Sequence, residues 1–208
     1  MTTSTSRINE QFSFLIEVEK LKNVLRRVSV ISGNRKENSA EHSWHVILLA
    51  LTLAEHANEP IDLLKVVTML AIHDIVEIDV GDTFHYHKNA DSSAAEDEAA
   101  RRIFGLLPDD QRERYIALWR EFEGRQTREA RFAAAVDRIW PIFQNISHNG
   151  GTWKEFGITV QAAKDKNSYV NQGSHAIWNY VVQLMDEADQ NGLFARHSET
   201  APGNTPSM

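Results

Sequence analysis

A histidine followed directly by an aspartate, His73-Asp74, closes an otherwise apolar run, LLKVVTMLAI. Two ionisable groups in that place must be paired, exposed or bound to a cation, because burial without compensation is costly. Two further histidines, His42 and His45, are three residues apart and share one helix face, and Asp137 interrupts a second apolar stretch, FAAAVDRIW. Two imidazoles and two carboxylates would neutralise a divalent charge and leave coordination positions open. Such a set suits one Mn, Co, Fe(II) or Mg ion better than a closed structural zinc site, with zinc still admissible. Open positions are what metal-assisted hydrolysis requires. The plainer reading of any one of these residues is a core histidine held by its neighbour, and spacing alone does not choose between His42 and His45.

The elements that would have to bring these residues together read as helices throughout. Apolar residues from Phe12 to Val28 recur at spacings of three and four and predict one long helix over Glu10 to Val28. Asn38 followed three places on by Glu41 is a capping box and starts a second helix near Ser39, running to Ala57. Asp62 is the expected N-cap of a third, which carries His73-Asp74 and ends before Gly81. The polar segment from Asp79 to Ser93 reads as a loop of the length that often borders sites. Further helices are expected over Ser92 to Leu106, Pro108 to Gly124, Thr127 to Ser147 with a kink at Pro141, Thr159 to Gln172 and Ser174 to Asn191. No strand alternation of useful length stands out. The expectation is an all-α single domain of about eight to ten helices over residues 1–195, with a frayed polar tail at 196–208.

Composition narrows the functional classes. With 42% hydrophobic and 25% charged residues in 208, the chain can bury a sizeable core. Twenty-two Lys and Arg against 29 Asp and Glu give a net charge of -7, which argues against general affinity for nucleic acid or anionic membranes. There is no cysteine, so thiolate metal sites and cysteine nucleophiles are excluded and any metal must use His and carboxylates. With no apolar leader pattern and no long apolar stretch, a soluble cytoplasmic protein is expected. Gly-rich phosphate loops and HExxH are likewise missing.

Through ENSAEHSWH at 37 to 45, HDIVEIDVGD at 73 to 82 and Asp137 alone on a later helix, the chain resembles the HD-domain metal-dependent phosphohydrolases, an all-helical family. It is most similar to their nucleoside 5'-monophosphatase (5'-deoxynucleotidase) branch, over roughly residues 10 to 190. The resemblance implies a helical bundle of the HD type, one divalent metal held by His42, His73, Asp74 and Asp137, and a small-molecule nucleotide substrate. It leaves His45 outside the ligand set. It places Glu77 near the reacting oxygen and Asp82 near sugar or metal-bound water. A glutamate at 77, where two-metal relatives carry a histidine, favours a single metal. An arginine at the end of the first helix is the implied phosphate clamp, since a guanidinium fork matches phosphoryl oxygens, and Arg26 and Arg27 both qualify. Deoxyribose-selective members carry tryptophan beside this arginine, whereas here Val28 follows Arg27.

Other features are assigned to structure. Trp119, Trp140, Phe143, Trp178 and Tyr180 read as core or dimer contacts, and the resemblance is compatible with a homodimer. The run EDEAARR at 96 to 102 reads as a solvated face, and His85 and His87 as exposed loop histidines. The reaction expected is removal of phosphate from (deoxy)nucleoside 5'-monophosphates. Its rivals are an HD hydrolase acting on cyclic nucleotides, triphosphates or alarmones, and a non-catalytic nucleotide-binding protein with a structural metal.

Overall fold

The computed structural model describes residues 4–82 and 90–196. The expectations for His85, His87 and the tail beyond Arg196 lie outside the described residues. In chain order the elements are α1 (Ser4–Val18), a 3-10 turn (Glu19–Asn23), β1 (Leu25–Ser29), β2 (Lys36–Asn38), α2 (Ser39–Leu53), a second 3-10 turn (Ala54–His56), α3 (Leu63–Ile72), α4 (Glu77–Val80), α5 (Ala90–Phe104), α6 (Asp109–Gly124), α7 (Arg128–Ser147), α8 (Gly151–Glu155), α9 (Val160–Asn167), α10 (Val170–Gly173) and α11 (His175–Gln190). The fold is all-α, with one small antiparallel hairpin.

That hairpin corrects the first helix. Instead of continuing to Val28, the chain leaves α1 at Val18 and enters β1, which pairs with β2 in the register Leu25 to Asn38 and Ser29 to Lys36, with a bulge between. Val24, Leu25 and Val28 fit a helical period, but the β-branched Val28, Val30 and Ile31 followed by Ser32-Gly33-Asn34 satisfy a strand and a turn equally well. Backbone bonds from Gly33 N to Val30 O and from Val30 N to Arg35 O close the turn. Arg26 and Arg27 therefore sit on a strand, and alternation sends them to opposite faces: Arg26 is buried and Arg27 exposed.

The helix starts follow their caps. Asn38 accepts from Glu41 N while the Glu41 carboxylate accepts from Asn38 N, completing the capping box of α2. Asp62 accepts from Lys65 N at α3, Thr127 from Ala130 N at α7, and Ser174 from Ile177 N at α11. Pro108 stands one residue before α6, and α7 continues through Pro141. The third helix is shorter than expected: it ends at Ile72, so His73 and Asp74 occupy a turn before α4. After α7, α8 is an additional helix that starts at Gly151, and the expected helix over 159 to 172 is divided at Ser168 and Tyr169.

Helix α7 is the central element. It buries Ala130, Phe132, Ala133, Ala134, Ala135 and Val136 in one stretch and packs against α2, α3, α6 and α10. The small residues admit close neighbours: a Cβ on Gly173 would come within 2.3 Å of the Arg131 carbonyl oxygen. A second apolar cluster joins Phe14, Ile75, Ile103, Phe104 and Trp119 from α1, the turn after α3, α5 and α6. The run at 96 to 102 is not a solvated face throughout: Ala99 and Ala100 are core, and Glu96 is buried towards the cavity described next, while Asp97 pairs with Arg101 and Arg120 on the outside.

Candidate metal centre

Four elements present polar side chains to one gap. The N-terminal half of α2 carries His42, the turn after α3 carries His73 and Asp74, the middle of α7 carries Asp137, and β1 supplies Arg26. His42, His73 and Asp137 offer ligand atoms all within 4.8 Å of one another. His42 Nε2 is 2.7 Å from Asp137 Oδ1, and His73 Nε2 is 3.6 Å from the same oxygen and 3.1 Å from Asp74 Oδ1. His73 Nδ1–H donates to the Leu70 carbonyl at 2.9 Å, a bond that leaves Nε2 as the nitrogen facing the gap.

The donor set fits a divalent cation. His73 Nε2 is buried and has no hydrogen-bond partner within the protein, as suits an atom that ligates a cation. The surrounding charge agrees: Glu37, Asp74, Glu77, Asp82 and Asp137 gather around two guanidinium groups, Arg26 and Arg138. Burial pushes the His73 imidazolium down, but Asp74 and Asp137 outweigh it and lift its pKa to about 9. Burial likewise pushes Asp137 up, yet the adjacent imidazoles of His42 and His73 and the charge of Arg138 hold it well below the usual carboxylate range.

Glu77, at the start of α4, accepts from Ser39 Oγ at 2.6 Å. Burial first, then Asp74 and Asp82, push its carboxyl well above the ordinary value. Asp82 accepts from Arg27 N at 3.2 Å, tying the segment after α4 to β1, and its other oxygen lies 3.9 Å from Arg26 NH1. Arg26 donates to Asp74 Oδ2 at 2.9 Å, and its Nε is 3.5 Å from Glu37 Oε2. Despite burial, these carboxylates keep its charge more firmly bound than that of a free guanidinium. Arg26, His73, Asp74, Glu77 and Asp137 line one cavity of about 110 Å³.

Of the residues given a metal or catalytic role from the sequence, Arg27 lies apart: its guanidinium is over the Phe156 ring at 5.5 Å. Asp74 is beside the three-residue cluster with its carboxylate shared with Arg26. His45 stacks on Trp140 with ring centroids 3.6 Å apart, outside the cluster. Glu37, Ser39 and Arg138 were not singled out for roles in the site. Arg138 Nε donates to Tyr169 Oη at 3.0 Å, and NH2 is 3.8 Å from Asp137 Oδ2. Its position directly after Asp137 in an apolar stretch was the available signal.

Helices that converge two histidines and an aspartate on one gap define a helical protein with a cluster that could hold a cation. A family model described as "HD domain" matches residues 18–178, and the chain belongs to the HD domain family. The resemblance read from ENSAEHSWH and HDIVEIDVGD is thereby borne out. Among solved structures, a Magnetospirillum magnetotacticum protein named "Predicted metal-dependent phosphohydrolase" matches with a TM-score of 0.88 and 45% identity, covering 94% of this chain and 100% of its own. Among curated proteins, 5'-deoxynucleotidase HDDC2 of Homo sapiens is 27% identical over 151 residues, 69% of this chain and 72% of its own. The Bos taurus protein of the same name is 30% identical over 135 residues, 63% of this chain and 64% of its own. Among the described residues no helix is long and apolar enough to cross a membrane.

Proposed function

We propose that the chain is a metal-dependent phosphohydrolase that removes phosphate from nucleoside 5'-monophosphates. The observation that carries the reading is the meeting of His42, His73 and Asp137 within 4.8 Å, with His73 and Asp137 lining the same cavity as Arg26 and Glu77. The names of the curated relatives support the substrate class, and that of the Magnetospirillum magnetotacticum protein supports metal dependence. His42, His73, Asp74 and Asp137 would hold one divalent ion, Mn, Co, Fe(II) or Mg. When bound, such an ion polarises a phosphoryl oxygen and lowers the pKa of water towards neutrality.

The remaining work falls to the side chains. Arg26, whose guanidinium reaches the cavity from β1, binds the phosphoryl oxygens and offsets the charge that grows on them in the transition state. Glu77 keeps its proton to higher pH than an ordinary carboxyl, because it is buried and faces Asp74 and Asp82. It can therefore hand that proton to the departing 5'-oxygen, with the Ser39 hydroxyl fixing its orientation. Asp82, beside Arg26, would contact the sugar or the metal-bound water.

Purified full-length protein with added Mn(II) or Co(II) is expected to release inorganic phosphate from a panel of ribo- and deoxyribonucleoside 5'-monophosphates. Inactivity across that panel, with turnover of cyclic nucleotides, triphosphates or alarmones, would overturn the substrate class. Replacing Glu77 by Gln separates an enzyme from a binder. The variant should retain Mn(II) and nucleotide affinity while losing about 10²–10⁴-fold in turnover, the range for a positioned general acid.

A further inference from the structure

Glu37 is a buried carboxylate to which the reaction proposed above gives no task. It stands in the middle of β2, where the hairpin turns it inward beside Arg26, and it is 3% exposed. Three nitrogens lie beside it. Trp140 Nε1–H donates to Oε1 at 3.1 Å, while Oε2 lies 3.4 Å from His42 Nδ1 and 3.5 Å from Arg26 Nε, three buried atoms that face one another without a formed hydrogen bond. An imidazole that offers Nε2 to a cation must carry its proton on Nδ1, and that proton needs an acceptor behind the ring.

We propose that Glu37 is a positioning residue: its Oε2 holds His42 with the proton on Nδ1 and Nε2 turned to the cation site, and it steadies Arg26 through the same oxygen. The inference rests on reading His42 as a ligand and Arg26 as the phosphate clamp. The pattern of neighbours explains why a carboxylate stands here and not an amide. His42 Nδ1–H, Arg26 Nε–H and Trp140 Nε1–H can each only donate, so an acceptor-only group suits all of them. Glutamine would keep its carbonyl for Trp140 and turn an NH2 group against His42 Nδ1–H and Arg26 Nε–H. The imidazole relieves that clash by moving its proton to Nε2, which occupies the lone pair a metal needs.

The test is Mn(II) affinity of the full chain, measured by calorimetry for wild type, Glu37→Gln, Trp140→Phe and His73→Ala, alongside melting in chelator. Glu37→Gln should raise the Mn(II) Kd about 10–100-fold, the usual effect of losing the partner of a metal-bound histidine. Trp140→Phe removes one donor from Oε1 while keeping the charge, and should raise Kd in the same direction by less. Unchanged affinity in a folded Glu37→Gln variant, or a lowered melting temperature with Kd unmoved, overturns the proposal. If Glu37→Gln does not fold, an unmoved Kd in Trp140→Phe overturns it. Failure of the underlying reading looks different: His73→Ala would then bind Mn(II) as tightly as wild type, which removes both.

Discussion

Replacing Arg26 and Arg27 one at a time by Met separates the phosphate clamp from its neighbour, because adjacent strand residues face opposite ways. Arg26 is buried, donates to Asp74 at 2.9 Å and lies 3.5 Å from Glu37 and 3.9 Å from Asp82. Its removal leaves three carboxylates around an apolar stem, and breaking a buried ion pair from one side costs about 3–5 kcal/mol. In chelator, urea unfolding of Arg26→Met should show a loss of that order. A divalent ion restores part of it by giving Asp74 another cation, so saturating Mn(II) should recover much of the stability. It should not recover turnover. A guanidinium aimed at the transferring phosphoryl group is worth about 10²–10³ in kcat, as for other preorganised donors to developing negative charge. Arg27 lies exposed over Phe156, so Arg27→Met should move stability by less than about 0.5 kcal/mol and leave phosphate release nearly unchanged. The reasoning fails if Arg26→Met hydrolyses monophosphates within tenfold of wild type in Mn(II), and fails doubly if Arg27→Met is the inactive variant.

Two other perturbations have directions set by the structure. His73 has its pKa lifted from the ordinary value near 6.5 to about 9 in the metal-free fold, so its stabilising contribution is complete below pH 6.5 and is lost as the pH rises through 9. Unfolding in chelator should therefore show this contribution disappearing over that window. Because a ligating histidine must be neutral, Mn(II) binding should release a proton there, with Kd falling about tenfold per pH unit between pH 7 and 9. Calorimetry in buffers of different ionisation enthalpy reads that proton directly, and a pH-independent Kd would contradict the assignment of His73 as a ligand. Gly173→Ala places a Cβ 2.3 Å from the Arg131 carbonyl oxygen and 2.9 Å from Ala135 Cβ, with backbone on one side unable to yield. A loss of about 1–3 kcal/mol in urea unfolding is expected, and wild-type stability would mean that α10 does not seat on α7 this closely.

The parts of this molecule legible in the sequence are those where one residue type admits one physical solution. Asn38 with Glu41 three places on could cap a helix and little else, and α2 starts where they put it. Asp62 likewise marks α3, and polar residues in apolar runs, His73, Asp74 and Asp137, meet at the cavity because only mutual pairing or a cation makes their burial tolerable. What the sequence concealed lies in the hairpin. Val24, Leu25 and Val28 satisfy a helical period of 3.6 and, with Val30 and Ile31, a strand period of two, so periodicity could not decide between them. That single ambiguity hid two further facts. A helix gives no reason to separate Arg26 from Arg27, whereas a strand buries one and exposes the other. Glu37, between Lys36 and Asn38, looks like a solvated carboxylate until the pairing of β2 with β1 turns it under Trp140 and behind His42. The ligand positions follow from local chemistry, but the groups that hold those ligands in place depend on long-range pairing, which local pattern does not encode.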